Sequence, residues 1–155
     1  MKLTVPFGSI WLNADDEGLT RVSFFEIENH QTNRFTEQAA DELTDYFAGK
    51  RTHFTIPLSI HSGTVFQQNV WAALYQIPYG ETRSYLDIAQ AVNSPKAVRA
   101  IGQANSKNPL PIIIPCHRVI GKNGKLTGYL GSSEQDGLSI KKFLLHIENV
   151  PVNDD

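Results

Sequence analysis

The first thirty residues place their apolar positions in short runs broken by turn residues, without helical spacing. Lys2-Leu3-Thr4-Val5, Ile10-Trp11-Leu12 and Leu19-Thr20-Arg21-Val22-Ser23-Phe24 are rich in β-forming residues, with Gly8-Ser9 and Asp15–Gly18 between them. That alternation predicts three short strands. Thr36 to Phe47 then predicts a helix, with Thr36 placed to cap it, acids in its early turns and Gly49 to end it. Phe54-Thr55-Ile56-Pro57-Leu58 suggests one more strand, and the loop from Ser59 to Gly63 a domain boundary.

Beyond Thr64 the period changes. Phe66, Val70, Ala73 and Leu74 recur at three- and four-residue steps, with Trp71 and Ile77 nearby, until Pro78-Tyr79-Gly80 stops the pattern. A second helix is predicted from Tyr85 to Val92 and a third from Lys96 to Asn105, separated by Asn93-Ser94-Pro95. Two short helices joined by a tight turn form a helix-turn-helix arrangement. On the third helix Lys96, Arg99 and Gln103 share a face, while Ala97, Ala100, Gly102 and Ala104 are small. Such a surface suits close approach to a nucleic-acid backbone, and equally a helix packed on its neighbour. The pattern as a whole reads as α+β. A small N-terminal α/β domain of antiparallel strands plus a helix covers 1–62, a mainly helical domain with the helix-turn-helix covers 63–150, and 151–155 form a tail.

Length and composition leave this picture standing. A chain of 155 residues with 41% hydrophobic content suffices for one good core, or a domain with an appendage. The start of the chain lacks the apolar core of a signal peptide, no stretch approaches a membrane span, and the cytoplasm is the expected location. Charge adds more. The net charge is −2, yet nine acids lie between Asp15 and Asp45, whereas none falls between Asp87 and Glu134. That acid-free interval holds Lys96, Arg99, Lys107, Arg118, Lys122 and Lys125, a distribution that favours a polyanionic partner there.

Inside the basic interval sits the only cysteine, in Pro115-Cys116-His117-Arg118-Val119 behind the apolar run Ile112-Ile113-Ile114, which reads as the end of a buried strand. One cysteine excludes an internal disulfide framework and any multi-cysteine metal site. Imidazole and guanidinium neighbours favour thiolate, the nucleophilic form. A lone intracellular cysteine is also a common small core residue. Adjacent residues on a strand point to opposite faces, so Cys116 and His117 cooperate only if the chain turns there, which Pro115 makes plausible.

Phe66-Gln67-Gln68-Asn69-Val70-Trp71, Ile77-Pro78-Tyr79-Gly80, Ser84-Tyr85, Arg99-Ala100-Ile101-Gly102, Asn108-Pro109, Ile114-Pro115-Cys116-His117-Arg118-Val119 and Gly124-Lys125-Leu126-Thr127-Gly128-Tyr129 occur in that order. This series closely resembles the O6-alkylguanine-DNA alkyltransferases, also called methylated-DNA–protein-cysteine methyltransferases, from Thr64 to about Glu148. The first domain resembles theirs only in layout. The resemblance implies direct reversal of DNA damage: Cys116 accepts the alkyl group of O6-alkylguanine, with O4-methylthymine as a second substrate, in a single irreversible turnover. It makes His117 the acceptor of the thiol proton, through a water in the family, and Glu148 the carboxylate that orients His117. Asn108 corresponds to the asparagine tying the recognition helix to the active-site turn, and Tyr85 to the tyrosine that helps rotate the nucleotide. Arg99 corresponds to the finger that fills the gap left by the flipped base. Lys96, Gln103 and Arg118 are expected to contact DNA, and Val119, Tyr129, Leu130 and Lys141 to border the pocket.

The resemblance implies no cofactor. The cysteines of the mammalian members' zinc site are absent, so no metal is expected, and the expected partner is duplex DNA bound by a monomer with no obligate protein partner. One departure stands out: Ser132-Ser133-Glu134-Gln135-Asp136 appears as an insertion of about five residues beside the pocket, against the usual turn length. A catalytically inactive lesion-binding protein, like the alkyltransferase-like proteins, is the main alternative. Those typically carry tryptophan where this chain has Cys116. A cysteine hydrolase is a third possibility, but nothing around His30, His53 or His61 suggests its second histidine.

Overall fold

The computed structural model describes residues 1–28, 30–124, 126 and 134–152, with residues 134–136 described by backbone alone. The chain forms two compact units, Met1–Ser62 and Gly63–Asp155.

In the first unit, strands β1 (Lys2–Val5), β2 (Gly8–Ala14) and β3 (Leu19–Ser23) pair in sequence order as an antiparallel sheet. The register sets Leu3 opposite Ile10 and Leu12 opposite Val22, with a bulge at Asn13/Ala14. The alternation seen in the sequence becomes an inner face here: Ile10, Leu12 and Ala14 are buried and Trp11 and Asn13 are not. Helix α1 (Arg34–Phe47) begins earlier than the sequence suggests. Its cap is Asn33, whose side chain accepts from the amides of Phe35 and Thr36, while Thr36 Oγ1 accepts from the Asn33 amide. Thr36 is therefore the inner half of a capping box and not the cap itself.

The strand expected at 54–58 does not form. Leu58 makes only an isolated parallel bridge to Leu19, and the amides of Thr55 and Ile56 donate instead to the buried carboxylate of Glu42. With those donors taken by a side chain and Pro57 offering none, no ladder can extend. The backbone at Pro57 also lies so close to Gly18 that a Cβ on Gly18 would fall 2.5 Å from the Pro57 carbonyl oxygen, so only glycine fits there.

The second unit is mainly helical. Helices α2 (Val65–Tyr75) and α3 (Tyr85–Ala91) each start from a capping box, Thr64 with Gln67 and Ser84 with Asp87. Helix α4 (Val98–Ser106) follows the turn after α3 and completes the helix-turn-helix. The two-residue strands β4 (Arg83–Ser84) and β5 (Val119–Ile120) pair in parallel, and α5 (Glu134–Ile147) closes the unit. Trp71 Nε1 on α2 donates to the Ala104 carbonyl on α4 at 2.8 Å, fixing the buried faces of the two helices against each other. Among the described residues no helix is long and apolar enough to cross a membrane. The α+β class with a helical second unit is as the sequence indicates.

Candidate active site

The apolar run ahead of the cysteine is a turn and not a strand. Leu110 O accepts from Ile114 N at 2.8 Å, and Ile114 O accepts from Cys116 N at 2.7 Å across Pro115, whose φ of −80° and ψ of 65° make a tight inverse turn. Cys116, His117 and Arg118 then form a single 3-10 turn that leads into β5. With three residues per turn, successive side chains diverge by about 120° and not by the half-circle of a strand. The chain thus turns where cooperation between Cys116 and His117 requires it. Both residues are fully buried.

Two asparagines hold this turn. Asn108 Nδ2 donates to Ile114 O at 2.8 Å, and its Oδ1 accepts from Leu110 N at 2.9 Å, so one side chain clips both sides of the loop. Asn105 Nδ2, in the last turn of α4, reaches the Cys116 carbonyl at 3.4 Å. The sequence reading missed Asn105. Its signal was a polar residue on the buried helix face it shares with Ile101 and Ala104.

A buried charge cluster follows. His117 Nε2 donates to Glu148 Oε2 at 2.7 Å. Arg118 donates through Nε to Oε1 at 2.8 Å and through Nη2 to Oε2 at 3.1 Å, and its Nη1 donates to Ile77 O at 2.6 Å. The Gly80 amide adds a donor to Oε1 at 3.2 Å. Burial alone would raise the Glu148 pKa, but the hydrogen bond from His117 and the hydrogen bonds and charge of Arg118 hold it well below the usual carboxylate range. For His117 burial dominates and pushes the pKa down, with Arg118 and Lys141 acting the same way against the pull of Glu148. The imidazole is therefore neutral. Since an ionised carboxylate only accepts, its proton sits on Nε2 and Nδ1 carries the lone pair. His117 Nδ1 has no hydrogen-bond partner among the described residues.

Arg118 is a correction. The sequence reading set it among the DNA contacts, but its side chain is 8% exposed and its charge is matched by Glu148. A guanidinium spent on an internal carboxylate offers nothing to a phosphate. Lys96 is corrected in part: it is exposed, but it precedes α4, so it does not share that helix's face with Arg99 and Gln103. Those two are exposed on α4, four residues apart. Tyr85 opens α3 half-buried, and a Cβ on Gly102 of α4 would lie 3.9 Å from its ring.

Val119 is buried on β5, paired with Arg83. Lys141 on α5 is fully buried, and its Nζ has no hydrogen-bond partner among the described residues. Burial lowers its pKa to about 8, against an opposing pull from Cys116. Tyr129 and Leu130, like Lys125 and the Ser132–Ser133 part of the apparent insertion, lie outside the described residues. Among the described residues no three His, Cys, Asp or Glu side chains cluster as a metal site would need.

Two family models match the chain. One is described as 6-O-methylguanine DNA methyltransferase, DNA binding domain, over residues 65–150, and the other as 6-O-methylguanine DNA methyltransferase, ribonuclease-like domain, over residues 2–60. The chain is 49% identical over 156 residues to a constitutive methylated-DNA–protein-cysteine methyltransferase of Bacillus subtilis, covering 94% of this chain and 92% of that one. It is 47% identical over 154 residues to the methylated-DNA–protein-cysteine methyltransferase of Methanosarcina acetivorans, covering 92% and 93%. Among solved structures, Mycobacterium tuberculosis OGT in complex with DNA superposes with a TM-score of 0.83 at 43% identity, covering 96% of this chain and 91% of that one.

Proposed function

The chain belongs to the 6-O-methylguanine DNA methyltransferase family, and on that premise we propose that it repairs DNA by taking the alkyl group of O6-alkylguanine, and of O4-methylthymine, onto Cys116. The observation that carries this reading is the pair His117–Glu148 at 2.7 Å directly after the cysteine, which leaves Nδ1 as the basic nitrogen. A nucleophile, a base and an orienting carboxylate follow in order.

The step balances without a cofactor. The thiol proton passes to His117 Nδ1, through a water. The thiolate attacks the alkyl carbon in line; the S–C bond forms as the C–O6 bond breaks, the electron pair stays on the guanine oxygen, and the proton held by His117 passes to the departing base through water, so that guanine and imidazole both end neutral. The thioether has no ready leaving path, so each molecule acts once. A stacked base cannot present its alkyl carbon to a buried thiol, so the nucleotide must leave the duplex. Arg99 on α4 supports that step as the residue that enters the stack, with Tyr85 on α3 rotating the nucleotide. Gln103 and Lys96 serve backbone contact, and Val119 and Lys141 border the base. The chemistry and the DNA face are both assigned to residues 63–150. A cysteine that must remain a thiol fits a reducing compartment, which supports the cytoplasm.

Incubation with duplex carrying radiolabelled O6-methylguanine should attach at most one label per protein, and none to Cys116→Ala. Continued turnover would refute the reading, and lesion binding without label transfer would establish the inactive lesion-binding alternative.

A further inference from the structure

Three non-glycine residues among those described have positive φ: Asn93 at 58°, Asn149 at 59° and Ile112 at 75°. The asparagines follow helices α3 and α5, where that residue type adopts the left-handed conformation at little cost. Ile112 is different. A branched Cβ makes this region costly, and such outliers persist only where the surroundings over-determine them, most often at functional sites. Ile112 lies in the middle of the turn closed by Leu110 O and Ile114 N, and its side chain is fully buried.

The turn passes this constraint to the cysteine. Ile114 O accepts from both Asn108 Nδ2 and Cys116 N, so the direction of that carbonyl sets where the 3-10 turn starts. The φ of 75° at residue 112 sets how the chain doubles back to bring Ile114 N onto Leu110 O, and so where residue 114 and its carbonyl stand. Burial of Ile112, beside Leu110 and Ile114 that are equally enclosed, offsets the backbone cost. Asparagine or glycine at 112 would remove the strain, but would give up the apolar anchor.

We infer that Ile112 is a positioning residue for Cys116: its buried, branched side chain locks a left-handed turn that aims the nucleophile. This rests on the reading of Cys116 as the alkyl acceptor. The test compares Ile112→Gly with Ile112→Ala in the full chain, with sucrose present to keep both variants folded. Both lose the buried side chain, but only glycine takes φ of 75° without cost. Glycine should melt at or above alanine, the reverse of the usual order. Its limiting single-turnover rate on saturating methylated duplex should nevertheless fall on the order of tenfold below that of alanine, because the turn now samples other conformations. The loss should lie in the limiting rate and not in the Kd for duplex, and Ile112→Val, which restores the branched carbon, should recover it.

A glycine variant less stable than alanine, or unfolded where alanine folds, would overturn the strain. Equal rates would overturn the positioning role. If neither variant folds, Ile112→Leu, which keeps volume but moves the branch from Cβ to Cγ, should slow transfer more than Ile113→Leu, and equal slowing would sink the idea. Native protein that takes up no label would instead overturn the acceptor reading itself.

Discussion

Each of the two units buries one glutamate among the described residues, and the two carboxylates are put to different use. Glu42, on α1, accepts from Gln38 Nε2, Thr55 N, Thr55 Oγ1 and Ile56 N at 2.7 to 3.2 Å. Burial pushes its pKa up, and those four hydrogen bonds outweigh it. Every partner is scaffold, so the result is a clasp between α1 and the segment after it. Glu148 is equally well supplied with donors, but one of them is an imidazole whose other nitrogen remains available. If Glu148 acts as proposed, depth of burial and number of hydrogen bonds do not separate a structural carboxylate from a functional one. What separates them is whether a partner still has a proton to accept.

Substitution should break the symmetry cleanly. Glu148→Gln should slow label transfer by between about 10²- and 10⁴-fold, because the imidazole loses the partner that fixes its tautomer. It should also cost about 3–5 kcal/mol of stability by leaving Arg118 buried without its counter-charge. Glu42→Gln should cost about 1–3 kcal/mol and leave the transfer rate unaltered. A rate loss in the Glu42 variant, measured on folded protein, would contradict the division.

A smaller contrast concerns two asparagines. Asn33→Ala removes the cap of α1 and should cost about 1 kcal/mol with no effect on transfer. Asn108→Ala removes both clips of the active-site turn. It should cost about 1–3 kcal/mol and slow transfer by roughly 10- to 100-fold, since displacing the nucleophile by about an ångström is enough. Denaturant titration and single-turnover kinetics on the same preparations would separate the two effects.

The smallest expected effect is in the pH dependence of stability. His117 has its folded pKa depressed below the ordinary 6.5, so the unfolded chain binds a proton that the folded one refuses. Its contribution is complete above pH 6.5 and is lost as pH falls from there through the folded value. Glu42 and Glu148 are also depressed, from 4.5, so their contribution is lost only below that pH, and Asp15, held at about 2, loses its own between 3.8 and about 2. Melting temperature should decline between pH 6.5 and 4.5, and His117→Gln should flatten that decline. Glu42→Gln should flatten only the steeper fall beneath it. A native curve that is level down to pH 4.5 would contradict the buried neutral imidazole.

Much of this molecule was legible in the chain. The alternating runs marked the sheet, the helix-turn-helix lay in the three- and four-residue spacing, and the ordered motifs from Phe66 to Tyr129 named the family and singled out Cys116, His117 and Glu148, the last two of which the fold joins at 2.7 Å. Local periodicity carries such features because neighbouring side chains must share a face to be buried together. Where the sequence reading went astray, a distant partner decided. The 54–58 segment became no strand because a carboxylate on α1 claimed its amides. Ile112–Ile114 became a turn because Asn108 clips it from outside the run. Arg118, basic and beside a nucleophile, turned inward because Glu148, thirty residues on, supplies the charge that makes its burial tolerable. Spacing along the chain determined which residues are available for the chemistry. Only the tertiary structure decided which charges stay exposed and which are spent on one another, because burying a charge depends on a partner that local pattern does not reveal.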